Sequence, residues 1–222
     1  MSSEPISTLH VDYRTSHLSF VAAPRGVYVR IAKPIFDRTV AATALVVLSP
    51  LLAVVALGVR WRIGRPVLFR QARCGLGGVA FDVVKFRTMR ADRRMAHRAV
   101  FEDRRVTHKT ARDPRHTDLG RTLRKWSLDE LPQLWNVVKG EMSLVGPRPE
   151  LVGIVARYEP WQHQRHLVRP GLTGLWQVSR RGDGLMHLCT DVDLEYVATI
   201  GWRADLQILL RTLPAAMSRS GS

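Results

Sequence analysis

The chain is short of cysteine, of aromatic rings and of acidic side chains, and each shortage narrows its function. Its two cysteines, Cys74 and Cys189, lie far apart, with no CxxC pair and no histidine at zinc-finger spacing. Neither a disulfide scaffold nor a zinc finger fits; two free thiols in a reducing compartment do. Aromatic residues make up 7% of the sequence, which disfavours a nucleic-acid platform of stacked rings. Nineteen acidic residues face 34 lysines and arginines, a net charge of +15. Such a surface calls for an anionic partner. Nucleic acid, an acidic membrane surface and a phosphorylated substrate all qualify, and charge alone does not separate them. The N-terminus does not read as a signal peptide. Residues 1–30 are polar, mixed and interrupted by Pro5, Pro24 and Gly26, the composition of a flexible leader. The length of 222 residues predicts one domain with attachments.

Charge is missing altogether from residues 40–59, "VAATALVVLSPLLAVVALGV". As a helix this run would reach about 30 Å, the thickness of a bilayer core. A buried helix of a soluble protein is the alternative, but such a helix usually keeps one polar face. Ser49 and Pro50 fall at the middle. Pro50 lacks a backbone donor and crowds the preceding turn, which predicts a break, and Ser49 is placed to satisfy a freed carbonyl. Both flanks are basic: Arg30, Lys33 and Arg38 before, Arg60, Arg62 and Arg65 after. Charge therefore gives no orientation for a simple span. A re-entrant hairpin helix, bent at Ser49-Pro50 with both ends on the same face, accounts for both features. The residues alone leave spanning and re-entrant arrangements open.

Beyond the apolar run, residues 67–69 and 81–84 read as strands joined by the turn "CGLGG" into a hairpin. Residues 91–105 read as a basic helix with Met95, Val100 and Phe101 as a weak apolar stripe. Such a helix is a solvated face or a contact to anionic headgroups. Residues 119–138 carry Leu119, Leu123, Trp126, Leu131, Leu134, Trp135 and Val138 at helical spacings. Within them stands "WSLDELPQLW", where Ser127 precedes Asp129 and Glu130 as a helix N-cap would. The two carboxylates are then either dipole partners or chemistry. Pro132 suits a first turn in either case. Pro147 and Pro149 bracket Arg148, which fixes the backbone around one guanidinium and suits recognition of a phosphate or a base edge. Residues 168–184 read as a turn-rich loop and residues 191–213 as a helical pair.

Together these pieces resemble the bacterial sugar transferase family, the monotopic phosphoglycosyl transferases that act on polyprenyl phosphate. The resemblance rests on "KPIFDR", the central "LSP", "FRQARCGLGGVAFDVVKFRTM", "LGRTLRKWSLDELPQLWNVVKGEMSLVGPRP", "RPGLTGLWQVS" and "DLEYV…DLQILL", in that order, from residue 33 to residue 213. It implies an α/β, mostly helical, monotopic membrane protein of minimal catalytic form. Its parts would be a leader (1–30), a re-entrant helix (31–62), a cytoplasmic catalytic domain with amphipathic interfacial helices (63–213) and a tail (214–222). It places the protein at the cytoplasmic face of a bacterial inner membrane, touching anionic headgroups. Nucleic acid is not an expected partner, and a homodimer stays open.

The resemblance also implies roles. Asp129 would be the nucleophile on the β-phosphorus of a UDP-sugar. UMP would leave, and polyprenyl phosphate would attack the aspartyl-phosphosugar. The product, a polyprenyl-diphosphate sugar, opens exopolysaccharide, O-antigen or glycoconjugate assembly. Glu130 would bind Mg²⁺. Lys85, Arg87, Arg124 and Arg148, the last with Pro149 beside it, are the expected phosphate clamps; Lys85 and Arg87 share a face if their segment is extended. Asp205 matches a further acidic position, with a salt-bridge role and a catalytic one both open. Two departures stand out: Ile200-Gly201 replaces a common Trp-Ser, and Asp191 stands ahead of "DLEYV" where a basic residue is frequent. The rival readings are a glycosyltransferase that releases UDP and a membrane-anchored basic binding module.

Overall fold

The uncharged run does break at its proline. In the computed structural model, which describes residues 21–90, 115, 117–179 and 189–217, helix α1 (Lys33–Val47) continues from a π-helical turn at Tyr28–Ala32 and is followed by α2 (Ser49–Arg62). The two are bent by 64°. Pro50 has no N–H to offer the carbonyl of Val46, four residues back. The Ser49 hydroxyl donates to that same carbonyl at 2.7 Å, so the break leaves no orphan acceptor there. No single helix among the described residues is long and apolar enough to cross a membrane; the bent pair meets that test only in combination.

The bend sends the two halves to different cores. On α1, Lys33, Asp37 and Ala41 recur every fourth residue and face inward. Ala41 joins a cluster with Val83, Val137, Met142, Val145 and Tyr196. On α2, Val55 and Val59 pack with Phe86 and Leu123 in a second cluster. The outer faces stay apolar and uncovered: Val46 and Val54 are 74% and 67% exposed.

The expected hairpin forms from β1 (Leu68–Cys74) and β2 (Ala80–Phe86), antiparallel from Leu68 opposite Phe86 to Cys74 opposite Ala80. Gly77 and Gly78, both at positive φ, turn the chain between them. After α3 (Asp118–Lys125), a 3₁₀ segment (Leu128–Gln133) runs into α4 (Leu134–Lys139). Strand β3 (Ser143–Val145) follows, and β4 (Glu150–Leu151) adds to the free edge of β1. After α5 (Val152–Val155) and a 3₁₀ stretch (Pro160–Leu167), β5 (Gly171–Thr173) pairs in parallel with β3. A short α6 (Leu175–Ser179) precedes the helical pair α7 (Thr190–Thr199) and α8 (Trp202–Met217). The mostly helical α/β reading stands.

The apolar residues spaced over 119–138 fall on either side of a break at Trp126-Ser127, with Leu123, Leu134 and Val137 buried and Trp126 and Trp135 half-exposed. Two local readings are corrected. Ser127 makes no side-chain cap; it sits in the left-handed region at φ 54° and reverses the chain before Asp129. The "loop" at 168–184 contains β5 and α6, because main-chain partners lie across the chain in β3, which local sequence does not reveal. The readings for residues 91–105 and for the 180–184 end of that loop fall outside the described residues.

A buried polar knot fastens α1 to the domain. Asp205, on α8, accepts from Lys33 Nζ and Tyr28 Oη, both at 2.6 Å, and from Tyr196 Oη at 2.7 Å. Lys33 also lies 3.6 Å from Asp37, which accepts from Ser143 Oγ at 2.5 Å. Breaking such a buried pair leaves a charge without a partner. Asp205→Ala is therefore expected to lower the unfolding free energy by about 3–5 kcal/mol in denaturant titrations of detergent-solubilised protein. Ser127→Gly should melt no lower than wild type, whereas Ser127→Val, β-branched at positive φ, should lose about 1–2 kcal/mol.

Candidate active site

The 3₁₀ segment carrying Asp129 and Glu130 packs beside β2, and this juxtaposition builds the site. Lys85, near the end of β2, reaches Glu130 Oε1 with its Nζ at 2.7 Å. Arg148 reaches the same oxygen through Nη2 at 2.6 Å, and its Nη1 lies 3.4 Å from Oε2. Three segments far apart in the chain thus meet at one carboxylate. Asn136, fully buried on α4, braces the strand from behind. Its Oδ1 accepts from the Val84 N–H at 3.1 Å and its Nδ2 donates to the Asp82 carbonyl at 2.7 Å.

The adjacent carboxylates stand in opposite electrostatic states. Burial alone would push the Glu130 carboxyl up, but the Arg148 and Lys85 charges overcome it and hold the group far below the usual carboxylate range. Asp129 is also buried, and among the described residues no cation forms an ion pair with it. Burial raises its carboxyl, the Glu130 charge raises it further, and the fields of Lys85 and Arg124 only partly offset them. Two titratable neighbours pushed apart by their surroundings mark a division of chemical labour. Glu130 is a fixed anion that organises cations. Asp129 is a buried carboxylate without an ion-pair partner among the described residues. Burial also lowers the Lys85 ammonium, with Arg148 acting in the same direction and Glu130 opposing.

The donor set suits a hard cation in part. Among the described residues no group of three or more His, Cys, Asp and Glu gathers into a metal cage. Glu130 Oε2 carries only the long contact to Arg148, so one hard oxygen retains coordinating capacity. One or two carboxylates, waters and substrate phosphate oxygens form the kind of shell that Mg²⁺ accepts.

The other residues singled out in the sequence fall into place differently. Arg124 lies in the last turn of α3, where its Nε contacts the Gly120 carbonyl at 3.4 Å and its charge reaches Asp129. Arg87 lies just past the end of β2. Its guanidinium donates to the carbonyls of Arg65 and Met89, at 2.8 and 3.0 Å, and not to Glu130. Pro149 offers its carbonyl to Arg73 at 3.1 Å. Asp205 forms the buried knot with α1, so the salt-bridge role left open for it is the one observed. Ser49 and Pro50 form the bend. Asp191, the acidic departure, lies in the first turn of α7, where a helix N-terminus favours it. Ile200-Gly201 is the break between α7 and α8.

Two contributors were not visible in the sequence. Asn136 and Arg165 are both fully buried, and nothing in "LWNVV" or "HQRHL" marks either as more than a solvated polar residue. Two concavities lie away from the carboxylates. One of about 290 Å³ runs along α1 past Arg30, Arg38 and Arg169; another of about 620 Å³ lies beside Arg62, Arg90 and Arg121. Neither is lined by Asp129 or Glu130. The carboxylate pair, which supplies the reactive groups, is therefore the candidate site.

Known proteins place the chain. The profile of the family described as "Bacterial sugar transferase" matches residues 28–219. An exopolysaccharide production protein, ExoY, of Sinorhizobium fredii is 41% identical over 86% of this chain and 88% of its own length. A UDP-glucose:undecaprenyl-phosphate glucose-1-phosphate transferase of Caulobacter vibrioides is 37% identical over 94% of this chain and 79% of its own length. An uncharacterized sugar transferase, EpsL, of Bacillus subtilis is 39% identical over 86% and 90%. With a match across most of its length, the chain belongs to the bacterial sugar transferase family.

Proposed function

We propose that this chain transfers a sugar 1-phosphate from a UDP-sugar to polyprenyl phosphate, as the name of the Caulobacter relative describes for that protein. The observation that carries the reading is the split between the two neighbouring carboxylates. An Asp129 oxygen forms a bond to the β-phosphorus, and the bond from that phosphorus to the bridging oxygen breaks. UMP departs with the bridging oxygen. A polyprenyl phosphate oxygen then attacks the same phosphorus and frees Asp129 as a carboxylate. Neither displacement needs a proton. A carboxylate approaching a diphosphate meets like-charge repulsion, so the cations set around Glu130 are the main catalytic resource. Lys85 and Arg148 would hold the diphosphate oxygens, with Arg124 adding positive field. Glu130 would hold Mg²⁺, which supplies further neutralisation of the diphosphate when bound.

The acceptor lies in a membrane, and the outer surface suits one. If α1 and α2 incline equally with the bend deepest, legs of about 22 Å reach about 12 Å down, under half of a ~30 Å hydrocarbon core. The pair then enters and leaves by one face, the cytoplasmic one of a bacterial inner membrane. Trp61, Trp126, Trp135 and Trp202 are each at least half exposed, the placement tryptophan takes at headgroup depth. The basic residues flanking the bend meet anionic headgroups there.

The test is UMP release by purified protein with Mg²⁺, polyprenyl phosphate and a panel of UDP-sugars. Release of UDP instead would establish the glycosyltransferase reading. Asp129→Asn should reduce UMP release by on the order of 10³-fold or more. The two carboxylates should also differ in stability. A carboxyl raised on folding opposes the fold above its unfolded pKa and ceases to do so as pH falls through its folded value. Asp129→Asn should therefore melt at or above wild type near pH 7. A depressed carboxyl stabilises above its unfolded pKa, and that contribution is lost as pH falls through its folded value. Glu130→Gln should lose on the order of 3 kcal/mol near pH 7 and progressively less in acid, read by denaturant titration across pH. The acid limb of UMP release should report Asp129 protonation, above the ordinary aspartate range.

A further inference from the structure

Arg148 reaches Glu130 from a loop that is unable to hold itself. Pro147 and Pro149 on either side have no N–H, so the tripeptide has lost two of its own backbone donors. Its three carbonyls are instead held from three other places. Pro147 O accepts from the Gly171 N–H at 2.8 Å, and Pro149 O accepts from Arg73 Nη1 at 3.1 Å. The carbonyl of Arg148 itself accepts from Arg165 Nη2 at 2.8 Å. The Gly171 bond depends on close main-chain packing: a Cβ there would lie 2.1 Å from the Gly146 nitrogen.

Two of the three donors are arginines with an ion pair: Arg73 lies 3.8 Å from Glu150, next to the loop itself, whereas Arg165 is tied to a helix outside it. Arg165 is 2% exposed. Its Nη1 donates to Tyr158 Oη at 2.5 Å. Its Nη2 also stands 2.5 Å from Asp193 on α7, a charge contact without hydrogen-bond alignment. A buried guanidinium with an acid on one side and a backbone carbonyl on the other is a rigid strut. By contrast, the Arg148 side chain that it supports is 31% exposed and has many rotamers to choose from.

We propose that Arg165 is a positioning residue: by gripping the Arg148 carbonyl from a fixed point on Tyr158 and Asp193, it sets the Arg148 guanidinium at Glu130, where the diphosphate is to be bound. This assignment rests on the transfer reading for its kinetic consequence, not for its structural one. Arg165 touches no reacting atom and acts only through Arg148. Lysine keeps the positive charge beside Asp193 but has no planar fork to serve Tyr158 and the Arg148 carbonyl together.

A double-mutant cycle on the full chain tests the assignment. Arg165→Lys should lower kcat/KM for UMP release by about ten- to a hundredfold, chiefly through KM for the UDP-sugar. In an Arg148→Lys background the same change should cost less than twofold. A merely structural arginine would cost the same factor in both backgrounds, and that result overturns the proposal. If Arg165→Lys does not fold, Tyr158→Phe removes one anchor and leaves the charges in place. A loss in the same direction that disappears in Arg148→Lys supports the assignment; full wild-type kinetics overturn it. The transfer reading is scored separately, by whether wild type releases UMP. Should it release none, the cycle is read in denaturant titrations, where non-additivity of Arg165→Lys (or Tyr158→Phe) with Arg148→Lys supports the coupling and additivity overturns it.

Discussion

The Glu130 carboxylate is the point on which the site depends. One oxygen receives both the Lys85 ammonium and the Arg148 guanidinium, and so draws together a strand, a 3₁₀ segment and a proline-bracketed loop. Without it, two cations would be left facing each other in a partly buried space. With it, they form a preorganised positive surface beside Asp129. The same interaction differentiates the neighbours: both cations sit on Glu130, so among the described residues Asp129 has no ion-pair partner. In phosphoryl transfer, where repulsion between anions sets much of the barrier, that separation of tasks matters more than the reactivity of either group alone.

The bent helix pair faces the opposite problem, since its outer surface offers nothing to fix it. The knot of Tyr28, Lys33, Tyr196 and Asp205 supplies the fixed point, with Asp37 and Ser143 at its margin. Buried ionic groups contribute little net stability once desolvation is counted, but they penalise every arrangement that leaves one unpaired. Such a knot defines where α1 enters the domain. The proposed membrane geometry needs that definition, because apolar faces against lipid would give α1 and α2 no fixed register. Proline and serine then set the bend locally.

Legibility followed the range of the forces involved. The hairpin, the helix break and the closing helical pair were readable because turn glycines, a missing N–H and apolar periodicity act over a few residues. The Ser49 hydroxyl bonded the carbonyl that Pro50 frees, as local geometry implied. Spacing did not reveal which members of the 119–138 set are buried, since Trp126 and Trp135 stay half-exposed, nor the left-handed residue at Ser127. Arg87 was grouped with Lys85 on strand periodicity, but its guanidinium is engaged by the carbonyls of Arg65 and Met89, which spacing does not reveal. Arg165 and Asn136 were illegible: a buried polar residue looks like a surface one until its partners are in place.

The sequence by itself determined the chemistry on offer. It supplied two adjacent carboxylates in a strongly basic chain, an uncharged run interrupted by Ser-Pro, and an arginine between prolines; residue identity and spacing suffice for each. Only the tertiary structure decided which cations meet which carboxylate, that Asp205 serves the fold, and that Arg148 hangs from a buried arginine seventeen positions later. Burial and distance set those outcomes, because a charge changes its character with the groups packed around it, and those groups come from elsewhere in the chain.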